Sequence, residues 1–235
     1  MLLMKGYFSS ILLFFSIIYA HNFDPTAVSL LDQKNNSYLF RGSLPLFNSD
    51  REARFAYQEL IATCEKCVGH PFPPNIELNV ICLLNSIREN REIQAEKDFF
   101  VQHPDLGCFI HHSVFGSLIN PNWISQEKIY HLVHRYSSSL NHLEYLENLL
   151  HNLLHSNTNR HKVKLIYIHC LAGHDRTGLV SSGYLMRFKS ASFEEVKNIN
   201  KQIIKREMQI LSNNEMRWYA YYLKHVKHKP IGTID

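Results

Sequence analysis

Apolar positions along the chain follow two spacings. Residues 76–84, 108–114 and 163–168 are short runs dense in β-branched and other apolar side chains, the pattern of strands buried on both faces. Residues 37–45 read as a further short strand closed by a turn at Gly42-Ser43-Leu44-Pro45. Between these runs the period lengthens to that of a helix. One helix is expected from a cap at Asn48, Ser49 or Asp50 to about residue 63, with Phe55, Leu60 and Ile61 inward, and another spans 91–102. Ser125 caps a third carrying Ile129, Leu132, Val133 and Tyr136. A fourth presents Leu143, Leu146, Leu149, Leu150, Leu153 and Leu154, a run too short for a coiled coil and suited to core packing. After residue 178 come three more: 179–188, a helix opened by the capping box Ser192…Glu195 and running to about 205, and a last one from Ser212 or Asn213 to about 225, where Trp218, Tyr219 and Tyr222 read as core and rim. Strands alternating with helices predict an α/β domain.

The segments outside this pattern set the boundaries. Residues 1–20 hold one lysine, Lys5, and an apolar run over 8–19 that ends at Ala20, before polar His21-Asn22. This reads as a secretory leader cut after Ala20, although the third residue before the cut, Ile18, is not small. The competing reading is an uncleaved membrane anchor, for which the run falls short of the roughly 20 residues a span needs. The first reading implies a secreted or periplasmic chain with no stable membrane span after cleavage. Residues 21–37 are a polar, turn-rich lead-in, and 38–229 form one domain.

Composition narrows the classes. The 235 residues are 45% hydrophobic and 20% charged, which suits a single domain with a full core. The net charge of +4, or +3 without Lys5, favours anionic partners. No Lys/Arg run or basic aromatic stripe supports a nucleic-acid partner. The fifteen histidines include His131/His134 and His151/His155 at helical spacing, but neither pair has the glutamate of a zinc-protease helix, so no metal is assigned. His111-His112 stand near the end of a strand. Cys64 and Cys67 lack the preceding strand of a redox motif and the second pair of a zinc site, leaving a structural disulfide or two partly buried thiols. In an exported chain Cys64, Cys67, Cys82 and Cys108 can form up to two bridges, leaving Cys170 free.

The chemistry concentrates in His169-Cys170-Leu171-Ala172-Gly173-His174-Asp175-Arg176-Thr177-Gly178, between the last strand and a helix. Backbone N–H groups of a loop that feeds a helix N-terminus converge into an anion site, here built from Leu171, Ala172, Gly173 and His174. Gly173 permits the tight turn. The planar guanidinium of Arg176 matches two phosphate oxygens. The field that holds phosphate also stabilises a thiolate at Cys170. Thr177 is in reach of the sulfur, and His169 can brace the loop through its ring nitrogens.

This stretch, His-Cys, five residues, then Arg-Thr-Gly, resembles the signature of the cysteine-dependent phosphatases: tyrosine, dual-specificity and phosphoinositide-hydrolysing members. The resemblance implies their fold, a central mostly parallel sheet flanked by helices, and catalysis by Cys170 and Arg176 without cofactor, on a phosphorylated protein or a phosphoinositide. Such enzymes usually take a general acid from a loop after an earlier strand. Here that loop, 113–124, holds no Asp or Glu, Asp105 precedes the strand, and Glu127 lies beyond the loop. Gly-His-Asp-Arg-Thr is similar to the loops of myotubularin-like lipid phosphatases and of bacterial phosphatases that accept phosphotyrosine and phosphoinositides. That likeness makes Asp175 the proton donor and gives His174 a positive charge at the pocket mouth; otherwise Asp175 only orients the loop. Two other classes compete: a phosphate-binding module without turnover, and a sulfurtransferase, against which the Arg-Thr ending and the loop length argue.

Overall fold

The computed structural model describes residues 22–48, 53–156 and 162–234. The leader expected over residues 1–20 lies outside them. Among the described residues no helix is long and apolar enough to cross a membrane.

A five-stranded sheet organises the chain. Its strands are β1 (Ser29–Lys34), β2 (Ser37–Gly42), β5 (Ile76–Cys82), β6 (Gly107–His111) and β7 (Val163–His169), in the order β1-β2-β7-β5-β6. Only β1 runs antiparallel; β2, β7, β5 and β6 are mutually parallel. Parallel strands need long crossovers, and helices supply them. The crossovers use α1 (Tyr57–Val68), α2 (Asn90–Gln102), α3 (Gln126–Arg135) and α4 (Asn141–His155), and α5 (Asp175–Phe188), α6 (Phe193–Ile204) and α7 (Ile210–His225) follow the last strand. The expected α/β fold is thus observed, a mostly parallel sheet flanked by helices.

Central β7 is buried at every residue, as the apolar run 163–168 suggests, and Lys164 within it is buried too. Its last residue, His169, pairs with Gly42 at the end of β2 and Cys82 at the end of β5. The segments that leave these two strands therefore flank whatever follows His169.

Three expectations change. The lead-in is not loose: it contains β1, an exposed, bulged edge strand that turns into β2 at Asn35, whose φ is 51°. Gln33, Lys34 and the apolar Leu30 are its exposed residues, so no apolar alternation announced it. At the other end Ile231 and Ile234 are buried, so packing runs beyond residue 229. The helix expected from residues 48–50 does not begin there: Asn48 ends β3 (Leu46–Asn48), which pairs antiparallel with β4 (Ala53–Phe55), and α1 begins at Tyr57. The other two expected caps, Ser49 and Asp50, lie outside the described residues. Consequently Cys64 and Cys67 lie within α1, which ends at Gly69 with φ 82°. All five cysteines are free thiols, so the expected bridges are not formed: Cys64 and Cys82 are buried, Cys67 contacts the Val28 carbonyl, and Cys108 donates to Asn79 Oδ1 at 3.0 Å. The Ser192–Glu195 capping box is present, and α7 starts two residues before Ser212.

Candidate active site

The signature segment is held from outside by its carbonyls. Leu171 O accepts from Leu44 N at 3.0 Å. Gly173 O and His174 O accept from Nη2 of Arg41 at 3.0 and 3.4 Å. Arg41 stands on β2, is 1% exposed, and also donates to Asn200 Oδ1 at 2.7 Å. Burial lowers its pKa to about 10 and the Cys170 sulfur opposes that, so it remains a cation. Two loop carbonyls are thereby turned toward a buried guanidinium. The first N–H groups of α5 have no intrahelical acceptor, and remain to meet an anion.

Gly173 has φ 71°, and a Cβ there would meet the backbone of Gly42 at 2.4 Å and of Ser43 at 2.7 Å. Both the left-handed backbone and the close approach to the end of β2 demand glycine. Cys170, 3% exposed, sits at the C-terminal end of the central strand. His169 is fully buried: Nε2 lies 2.9 Å from Glu96 Oε2 and Nδ1 lies 3.3 Å from the Cys170 carbonyl. Thr177 is also buried, and its hydroxyl has no hydrogen-bond partner among the described residues, so the expected bond to sulfur is not made.

Arg176 extends Nη1 and Nη2 to the two oxygens of Glu89 at 2.6 and 2.7 Å, and Nη1 also reaches the Leu83 carbonyl at 3.3 Å. Glu89 in turn accepts from Asn85 N at 2.6 Å. Burial works against the guanidinium, and the Glu89 bonds outweigh it and raise its pKa. The side chain is thus fixed in plane while 22% of it stays exposed.

Asp175 is the first residue of α5, and its carboxylate is occupied. Oδ1 and Oδ2 accept from Arg206 at 3.0 and 2.7 Å, and Oδ1 also accepts from Gln209 N at 2.6 Å. Burial raises its pKa, but the Arg206 bonds and the Gln209 amide outweigh this and hold it below the usual carboxylate value. In this arrangement Asp175 is a proton acceptor. His174 has its pKa lowered, first by burial and then by Arg206. It is therefore largely neutral at pH 7, and does not supply the positive charge expected of it.

Glu89, Glu96, Arg41 and Arg206 complete the site, and none was singled out in the sequence as part of it. Of the two adjacent histidines, His111 bonds the Leu84 carbonyl at 2.8 Å, and His112 stacks on Tyr145. His151 and His155 stack at 3.9 Å, with His155 Nδ1 on the His151 carbonyl. The one group of three possible metal ligands among the described residues is Cys82, Glu96 and His169, all buried. Its His–Glu contact is a 2.9 Å hydrogen bond, shorter than the roughly 3.3 Å between neighbouring ligands on a tetrahedral zinc with 2.0–2.1 Å bonds.

The fold recurs in solved phosphatases. Kinase associated phosphatase, with its catalytic cysteine replaced by serine, matches with a TM-score of 0.50 at 12% identity, over 86% of this chain and 94% of that one. PTP-2 phosphatase of Cydia pomonella gives 0.42 at 15% identity, over 79% and 84%. The core catalytic domain of the PP-IP phosphatase SIW14 of S. cerevisiae gives 0.38 at 13%, over 81% and 84%. No family model matches the chain, and no curated protein matches it in sequence. The chain shares its fold with kinase associated phosphatase.

Proposed function

We propose that the chain is a cysteine-dependent phosphomonoesterase of the protein-tyrosine and dual-specificity type. One observation carries this reading: Cys170 stands at the base of a loop with two carbonyls bound to Arg41, beside an Arg176 fixed in plane by Glu89. The Cys170 thiolate attacks phosphorus, an S–P bond forms, and the P–O bond to the leaving group breaks. Arg176 and the loop N–H groups stabilise the equatorial oxygens. The leaving oxygen takes a proton from Asp175, which requires that Arg206 first release the carboxylate and that the carboxylate take up a proton from solvent. Water then attacks phosphorus; Asp175, as carboxylate, accepts its proton, and inorganic phosphate and the thiolate are regenerated. No cofactor enters these steps.

A phosphoinositide or inositol phosphate is the second substrate reading, favoured by Asp175 inside the loop and by Arg206 beside it. The test is phosphate release by the reduced protein from phosphotyrosine peptides and short-chain phosphoinositides, comparing wild type with Cys170→Ser and Asp175→Asn. Release that Cys170→Ser abolishes is expected, and the preferred panel member assigns the substrate. Folded protein that binds phosphate and turns over nothing would leave a binding module; turnover of thiosulfate would point to sulfur transfer.

A further inference from the structure

A cavity of about 480 Å³, lined by none of the signature residues, lies between the segment 115–124, α3, the start of α4, and α7. Phe115, Ile119, Ile124, Leu132, Leu140 and Trp218 are among its walls. Its size falls within the range of small-molecule sites. The wall is tied down: Trp218 Nε1 donates to the Ile119 carbonyl at 2.9 Å, Asn214 Nδ2 to Ser117 O at 3.1 Å, and Ser117 N to Leu211 O at 3.0 Å. Two residues before Leu211, Gln209 holds Asp175. The cavity is therefore a formed feature, joined by one short segment to the candidate active site.

Its polar end is a carboxylate. Glu215 lines the cavity with a side chain only 12% exposed, and its ion-pair contact among the described residues is His142 Nε2 at 4.0 Å, beyond hydrogen-bond length. Burial alone pushes its pKa up to about 7. A carboxylate among apolar walls without a close counter-charge is costly, and a ligand that brings a cation removes that cost. The rings of Trp218, Tyr136 and Phe115 favour a cation over an anion as well.

We propose that this cavity binds a small hydrophobic amine, its apolar body against the Leu132–Trp218 wall and its ammonium on Glu215. Phosphate-bearing molecules are repelled there, so the site is separate from the one that would take a phosphorylated substrate, and it stands whether or not the chain is a phosphatase.

The test is calorimetric titration of the full chain at pH 8 with three ligands of one apolar body: adamantylmethylammonium, adamantylmethanol and adamantylacetate. The ammonium should bind one to one, about tenfold or more tighter than the alcohol, the factor a charge-assisted contact supplies. The carboxylate should bind weakest. Glu215→Gln should bring the ammonium to the affinity of the alcohol. Leu132→Trp, which fills the cavity and leaves Glu215 in place, should remove binding of all three, with a thermal melt reporting that each variant is folded. Equal affinity for the three ligands, no binding of the ammonium by folded wild type, an ammonium affinity left unchanged by folded Glu215→Gln, or ammonium binding that survives folded Leu132→Trp would overturn the proposal.

Discussion

Glu89 receives both terminal nitrogens of Arg176, at 2.6 and 2.7 Å, from 87 residues away in sequence. An arginine aimed at phosphate must hold its plane before the phosphate arrives, because ordering a free guanidinium during the reaction costs side-chain entropy. Glu89 supplies that order. Glu89→Gln keeps one acceptor and loses the charge. Kcat/KM should fall by roughly 10- to 100-fold, the equivalent of the 1.5–3 kcal/mol of a hydrogen bond to a charged group. Steady-state kinetics on an aryl phosphate measures it, and an unchanged kcat/KM would remove Glu89 from the site.

Behind the loop the contact is deeper. Glu96 and His169 are both wholly buried, and Glu96 Oε1 has no hydrogen-bond partner among the described residues. Removing one member of such a pair strands the other. Glu96→Ala should destabilise the fold by about 3–5 kcal/mol, while Glu96→Gln, which keeps a hydrogen-bonding group on the imidazole, should lose much less. Urea denaturation of both variants gives the comparison. Similar stability of wild type and Glu96→Ala would show that the pair carries no structural weight.

These two glutamates show where sequence reading stops. The ten signature residues are contiguous, and each residue type suits a recognisable task, so the loop, the strand before it and the helix after it could be read directly. Glu89, Glu96, Arg41 and Arg206 act only because the sheet order brings β2, β5 and α2 beside β7; nothing local distinguishes them from other charged residues. Arg206 changes the chemistry most. Asp175 taken alone reads as a proton donor, and only the folded α6–α7 connection shows a guanidinium and an amide fixing its charge. Core strands and amphipathic helices were legible from periodicity. The edge strand β1, without apolar alternation, and the β3–β4 pair were not.

The Asp175–Arg206 pair should be visible in pH dependence. The folded pKa of Asp175 lies below its ordinary 3.8, so the pair contributes stability above that value, lost as pH falls through the folded pKa. Arg206→Gln removes the arginine's share of that contribution and leaves the Gln209 amide in place. The variant should be less stable than wild type near neutral pH, by under about 1 kcal/mol because the arginine is 41% exposed, and the two should converge below about pH 4. If Asp175 donates the leaving-group proton, Arg206→Gln should also speed turnover of alkyl phosphates relative to aryl phosphates at mildly acidic pH. A variant that loses activity equally on both classes would instead assign Arg206 to binding the substrate.

A second acid responds in the opposite direction. Glu147 on α4 is fully buried, where it accepts a hydrogen bond from the Tyr219 hydroxyl and lies 3.6 Å from Arg187. Burial raises its pKa to about 8, and Tyr219 and Arg187 offset only part of that. The folded protein therefore holds a proton here that the unfolded chain releases near the ordinary value of 4.5. Its contribution is full below 4.5 and declines as pH rises toward 8. Glu147→Gln mimics the protonated acid and keeps the same volume beside Gly183, whose missing Cβ makes room for the carboxylate. The variant should match wild type near pH 4.5, melt higher at pH 8, and show a flatter stability curve between those values. Melting temperatures across that range decide it, and a wild-type curve that rises with pH relative to the variant would mean that Glu147 is ionised in the fold and held by Arg187.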